Sequence, residues 1–285
     1  MLTTDFVLVT GKGGTGKSAV TAALAIERAR RGQSVLAIDL GSGLGLGAHL
    51  RAPNLRYRPT EVRAGLWAMT MVRAAALDEY LKTQLHVPQG APTKTITSAL
   101  NVLVDTAPGV REIISIGKPV FELWKGTWDA VIVDTPSLGQ FQSYLRAPET
   151  ISDLVPTGTI KRQASSLAEV LADPSTTQVI IVANPAELPV LETLEAIEAI
   201  EAEHLCPRPS IVMNRTVRSA GFTADQLKLL PTGPIKEAAE HQLSIEALQS
   251  RWISEIDVDV SLPYLMGVLT PGEVALHLAD ELSSR

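Results

Sequence analysis

The chain is a succession of short apolar runs, each stopped by a polar or small residue, with longer segments of helical spacing between them. "DFVLVT" (Asp5–Thr10) is β-branched and stops at Gly11, which predicts a buried strand. "SVLAID" (Ser34–Asp39), "WDAVIVD" (Trp128–Asp134), "TQVIIVAN" (Thr177–Asn184) and "PSIVMN" (Pro209–Asn214) repeat the pattern, and "GLWAMTMV" (Gly65–Val72) is a further candidate. Ser18–Arg31, rich in alanine, leucine and arginine, predicts a helix ended by Gly32, and Leu188–His204 predicts another. Strand alternating with helix predicts an α/β fold, a doubly wound and mostly parallel sheet covered on both faces. Ligands bind such sheets at the carboxyl ends of the strands. Here those ends carry Gly11, Asp39, Asp134, Asn184 and Asn214.

Two stretches depart from the alternation. Ala74–Lys125 reads as two or three helices with a large apolar share, including Leu100, Val102, Leu103, Val104, Ile116, Val120 and Trp124. A shorter helical segment covers Ile160–Leu171. Both fall between strands. The expectation is one domain over residues 1–285 with helical insertions at about 74–125 and 140–175, forming an inserted helical subdomain. The apolar residues of the first insertion suit either a groove for a hydrophobic protein client or packing on the sheet. "GSGLGLG" (Gly41–Gly47) reads as a mobile glycine loop.

Composition narrows the class. The 285 residues are 45% hydrophobic and 20% charged, enough to bury a sizeable core. A net charge of -6 argues against nucleic acid or anionic membrane as a partner of the whole surface. The single cysteine, Cys206, allows no intrachain disulfide and no CxxC metal site, and reads as a buried structural thiol. The five histidines show no metal-ligand spacing. The chain opens without a leader pattern, and no apolar run reaches the roughly 18 residues of a membrane span. A cytoplasmic protein with no integral membrane segment is expected.

The chemistry concentrates in one loop. Gly11-Lys12-Gly13-Gly14-Thr15-Gly16-Lys17-Ser18 fits GxxxxGK[ST], with a strand before it and a helix after it. Its glycines let backbone N–H groups converge on a phosphate at a helix N-terminus. Lys17 suits the β- and γ-phosphates, the Ser18 hydroxyl suits Mg²⁺, and Ala19 continues the nest into the first helical turn. Magnesium also needs a carboxylate, and Asp134, at the end of its strand, is placed to hold it through water. Asp39, at another strand end, is placed to hold an attacking water. The phosphates of a nucleotide and Mg²⁺ are therefore the expected ligands. Lys12 is a second lysine that this template does not ask for.

KGGxGK[ST], with lysine directly after the first glycine, resembles the deviant Walker-A ATPases. In that class the early lysine reaches across a dimer interface to the partner's nucleotide, so the resemblance implies a catalytic role for Lys12 between two chains. Within the class the chain is similar to the arsenite-pump (ArsA-type) and tail-anchored-protein-targeting ATPases. The similar segments are "GLWAMTMVRAAALDEYL", "PGVREIISIGKPVFELWKGTWDAVIVDTPSLG", "LADPSTTQVIIVANPAELPVLETLEAIEAI" and "IVMNR". The resemblance makes Asp39 the water-activating acid of switch I and Asp134 the Walker-B acid. It places the adenine on Asn214, with Arg215 beside it. Switch I here reads Asp39-Leu40-Gly41-Ser42-Gly43-Leu44-Gly45-Leu46, without the family's proline, histidine and second acid. One cysteine also argues against a metalloid-binding pump subunit.

The function implied is an ATP-hydrolysing, Mg²⁺-dependent switch ATPase acting as a homodimer, or as a heterodimer with a related ATPase. The altered switch I keeps a second reading open, a nucleotide-binding and weakly hydrolysing regulatory or structural subunit. A Min- or Par-like positioning ATPase is the third, disfavoured by the negative charge and by a C-terminal segment that is not basic.

Overall fold

The computed structural model describes residues 4–41, 43–83, 109–219 and 221–284. The strands among the described residues are β1 (Phe6–Gly11), β2 (Val35–Asp39), β3 (Thr60–Arg63), β4 (Leu66–Thr70), β5 (Ala130–Asp134), β6 (Thr177–Ala183), β7 (Ser210–Thr216) and β8 (Val260–Pro263). They form one sheet in the order β3-β4-β2-β5-β1-β6-β7-β8. Only the β3–β4 pair at one edge is antiparallel. The helices among the described residues are α1 (Lys17–Arg30), α2 (Leu44–His49), α3 (Arg73–Thr83), α4 (Val110–Trp124), α5 (Leu138–Leu154), α6 (Thr159–Ala172), α7 (Glu187–Ala202), α8 (Ala224–Lys228), α9 (Pro234–Ile253) and α10 (Pro271–Ser283).

The apolar runs are buried on both faces because alternate residues serve different layers. Val7 and Val9 of β1 pack with α1 and α10 through Ala22, Ile26, Ala275 and Leu278. Phe6 and Leu8 face the other way, onto Ile116 and Val120 of α4 and Phe141 and Leu145 of α5. Each buried Val, Ile, Leu or Phe among them, taken from water, contributes about 1.5–3 kcal/mol. Parallel strands need this double cover, which is why the central runs have no polar alternation. A third cluster, with Ile181, Val190 and Met213, extends the core under α7 and α9.

The segment expected to hold helical insertions lies partly within the described residues. There α4 contributes Ile116 and Val120 to the sheet-facing core, while Trp124 at its end stays half exposed. Leu100, Val102, Leu103 and Val104 lie outside the described residues. A buried charge network joins α3 to α4: the Lys118 ammonium donates to Glu79 and Glu122, at 2.6 Å each, and Trp128 Nε1 donates to Glu122. Cys206 is buried in the core, and burial pushes its thiol up to about 12, as befits a structural thiol.

Part of the glycine stretch takes up regular structure: Leu44–His49 forms a short helix, while Ser42 lies outside the described residues. Leu46 is fully buried in the α1 layer, and the Asp39 carboxylate takes backbone N–H groups of the turn. Apolar anchoring at one residue and capping at another together order a sequence that its glycine content alone would leave loose.

Candidate nucleotide site

The parallel strands β1, β2 and β5 end side by side, and their ends build the site. Gly11 closes β1, and the chain turns through Lys12–Gly16 into α1. Gly16, at the N-cap, is left-handed with φ 97°, and a Cβ there would lie 2.4 Å from the Asn214 amide nitrogen, so only glycine fits. Gly16 has no side chain to cap α1, and no acid stands in the first turn of the helix. The helix thus presents N–H groups and the positive end of its dipole to the loop, an arrangement suited to an anion.

The loop is braced from within and from behind. The Lys12 carbonyl accepts from Thr15 Oγ1 at 2.9 Å and from Lys17 Nζ at 3.3 Å. Behind it, Asn214 Nδ2 at the end of β7 donates to the Thr15 carbonyl at 2.8 Å. Thr15 and Asn214 are both buried. Burial holds the Lys17 ammonium below the usual lysine range, with Asp134 opposing. A phosphate at the nest would add a second anion, beside Asp134, for that partly desolvated cation.

Two carboxylates stand at the neighbouring strand ends. Asp39 and Asp134 are direct register partners of β2 and β5. Asp134 is pushed up to about 7, chiefly by burial; a hydrogen bond from Ser18 opposes, the Asp39 charge adds, and Lys17 opposes. Its Oδ1 is buried with no hydrogen-bond partner among the described residues. Burial also raises Asp39, against backbone N–H bonds from Gly43, Gly41 and Leu46. A hydroxyl beside two carboxylates, one with an orphaned oxygen, is a hard oxygen donor set that fits Mg²⁺.

The structure brings Lys17, Ser18, Asp39 and Asp134 together and ties Asn214 to the same loop. Ala19 is buried in the first turn of α1, and Arg215 is exposed with φ 61°. Beyond the ends of β7 and β8 opens a cavity of about 460 Å³, lined by Val217, Tyr264, Leu265 and Met266 among others. Lys12 does not join the acids. Its ammonium forms an ion pair with Glu192 on α7, a residue that no local sequence pattern marks. Gly45 of α2 is a second such residue, since a Cβ there would stand 2.7 Å from Ser18 Oγ.

The family of anion-transporting ATPases matches residues 4–167, a stretch that includes Gly11–Ser18, Asp39 and Asp134. ATPase BagA of Mycobacterium tuberculosis is 32% identical over 221 residues, covering 74% of this chain and 64% of that protein. A Mycobacterium bovis protein also named as an ATPase is similar to the same extent. A Halobacterium salinarum protein named as an arsenical pump-driving ATPase is 26% identical over 207 residues, covering 66% of this chain and 32% of its own length. The chain thus spans less than two thirds of the length of these relatives. No helix among the described residues is long and apolar enough to cross a membrane.

Proposed function

This chain is a member of the anion-transporting ATPase family, and from that premise we propose that it is an ATP-hydrolysing, magnesium-dependent switch that works as a pair of chains. The observation that carries the reading is the meeting of an uncapped helix N-terminus, Lys17 and Ser18 with two carboxylates at adjacent strand ends. The α1 N–H groups and the Lys17 ammonium hold the β- and γ-phosphates and stabilise the charge that grows there during transfer. Ser18 and Asp134 would hold Mg²⁺, which when bound would neutralise charge on the phosphate oxygens.

Asp39 does the proton work. Its carboxylate leaves the N–H groups of its own loop and orients a water toward the γ-phosphorus. Asp39 takes one proton of that water as its oxygen forms the new P–O bond; the bond to the β–γ bridging oxygen breaks, and ADP and inorganic phosphate leave. The desolvated strand end that raises Asp39 also makes it a better base. Lys12 acts on the nucleotide of the second chain, a role that rests on the KGGxGK[ST] resemblance.

A second reading has its own observation. Asp39 is capped by Gly41, Gly43 and Leu46, and α2 packs against Ser18. A chain locked in that arrangement binds ATP and turns it over slowly unless a related chain reshapes switch I. One assay separates the two: turnover per chain across a range of protein concentrations, beside Asp39→Asn. Turnover that rises with concentration and vanishes in the variant supports the switch. No turnover at any concentration, with ATP bound, supports the regulatory subunit.

A further inference from the structure

Lys12 is the residue whose position the reaction leaves unexplained. In the single chain it neither faces solvent alone nor lies in its own nest. It pairs with Glu192, 180 residues further along the chain. The placement follows from the sheet. Gly11 at the end of β1 is in register with Val182 of β6, so the phosphate loop and the helix that follows β6 leave the sheet as neighbours. On α7, Val190 and Thr193 on either side of Glu192 are buried, and the Thr193 hydroxyl donates to the Pro189 carbonyl at 2.6 Å. The turn carrying the carboxylate is therefore fixed to the core.

We propose that Glu192 is a positioning residue for Lys12: it parks the ammonium on α7 of its own chain, and the phosphates of a nucleotide held by a second copy take the lysine away. The proposal rests on the dimeric ATPase reading above. Charge decides the direction of the exchange. A carboxylate offers one negative charge, whereas the terminal phosphates of ATP offer several and accept charge-assisted hydrogen bonds. The parking contact must also be weak enough to break. Both side chains are partly exposed, 33% for Lys12 and 43% for Glu192, and pairs of that kind contribute little. The face that carries Glu192 is open to a second chain, since Leu188 and Leu191 beside it are exposed. Glu192 thus keeps the lysine out of its own nest, where Lys17 already supplies the cation, and makes its delivery depend on the partner's nucleotide.

Zero-length carbodiimide coupling reads the pair directly, because it joins an amine to a carboxylate only when they touch. The full chain is treated without nucleotide, with ADP, and with ATP and Mg²⁺, using an equal mixture of isotopically light and heavy protein. Lys12–Glu192 amide peptides are then measured, with ATP occupancy determined in parallel. The expected result is a within-chain amide without nucleotide that is lost several-fold with ATP. Three results overturn the proposal: no within-chain amide in the free chain, a light–heavy amide in its place, or an amide unchanged at full ATP occupancy. A chain that binds no ATP sinks the nucleotide reading and, with it, the release step, while the amide in the free chain reports the pair separately. A second measurement excludes a merely structural role. Glu192→Gln should tighten ATP-dependent self-association about two- to five-fold. It should leave ATP affinity at low protein concentration unchanged, and it should have no effect in a Lys12→Gln background. Weaker self-association in Glu192→Gln overturns the proposal.

Discussion

Removing the Asn214 amide separates two jobs that one side chain could do at this site. The Asn214 Nδ2–Thr15 carbonyl bond is 2.8 Å long, and both residues are buried. In Asn214→Ala the Thr15 carbonyl loses its side-chain donor where water reaches it poorly. An unsatisfied buried group of this kind costs about 1–3 kcal/mol. Part of that cost appears as lost fold stability and the rest when a ligand requires the ordered loop. Taking about 1–2 kcal/mol for the second part, nucleotide binding weakens about five- to thirty-fold. Because the bond braces the phosphate nest, the loss should be the same for any ligand that uses the nest. The assay is titration calorimetry of the wild type and Asn214→Ala with ATP and with tripolyphosphate, which has no base. Equal losses are expected. A loss confined to ATP, with tripolyphosphate bound as before, would refute the brace and assign Asn214 to the adenine.

Other perturbations test the surroundings. Asp134→Asn should stabilise the nucleotide-free chain by about 1–2 kcal/mol, because a buried carboxylate with an orphaned oxygen loses its charge; denaturant unfolding in EDTA measures this, and magnesium-dependent ATP binding should fall in the same variant. Lys118→Met leaves Glu122 buried with only the more exposed Lys125 as a cation, and should cost about 3 kcal/mol, some 6 °C in Tm; adding Glu122→Leu should recover part of it. Burial would raise Glu122, but hydrogen bonds from Lys118, Lys125 and Trp128 outweigh it and hold the carboxyl below the usual range. A depressed carboxylate contributes stability above its unfolded pKa of about 4.3 and loses it as pH falls through the folded value. The wild type should therefore lose stability more steeply than Lys118→Met/Glu122→Leu below about pH 4, read from urea midpoints. Gly45→Ala, with its Cβ 2.7 Å from Ser18 Oγ, should destabilise the free chain by about 1 kcal/mol, seen as a lower Tm without nucleotide.

Much of the site was legible because its signals are local. The phosphate loop, its lysine and serine, and the acids that end two apolar runs are read from short windows. A parallel sheet then places strand ends together without further information. What escaped the reading is either too short or non-local. β3, "TEVR", is a mostly exposed edge strand with no apolar run, and β8 spans only four residues. Lys118 and Glu122 have the spacing of a solvated surface pair, yet tertiary packing buries both. The order of α2 depends on Asp39 and Leu46 finding partners, which glycine content does not reveal. The Lys12–Glu192 contact joins two elements that only the β1–β6 register makes neighbours.

Whether one chain's Lys12 serves the other chain's nucleotide can be read by mixing two inactive variants. Lys12→Gln keeps Asp39 but cannot donate the lysine. Asp39→Asn donates the lysine but cannot activate water. Each alone should be nearly inactive. In an equal mixture half of the pairs are mixed, each with one complete site, so turnover should return to roughly a quarter of the wild-type value per chain. A mixture no more active than its separate components would mean that the lysine acts only within its own chain.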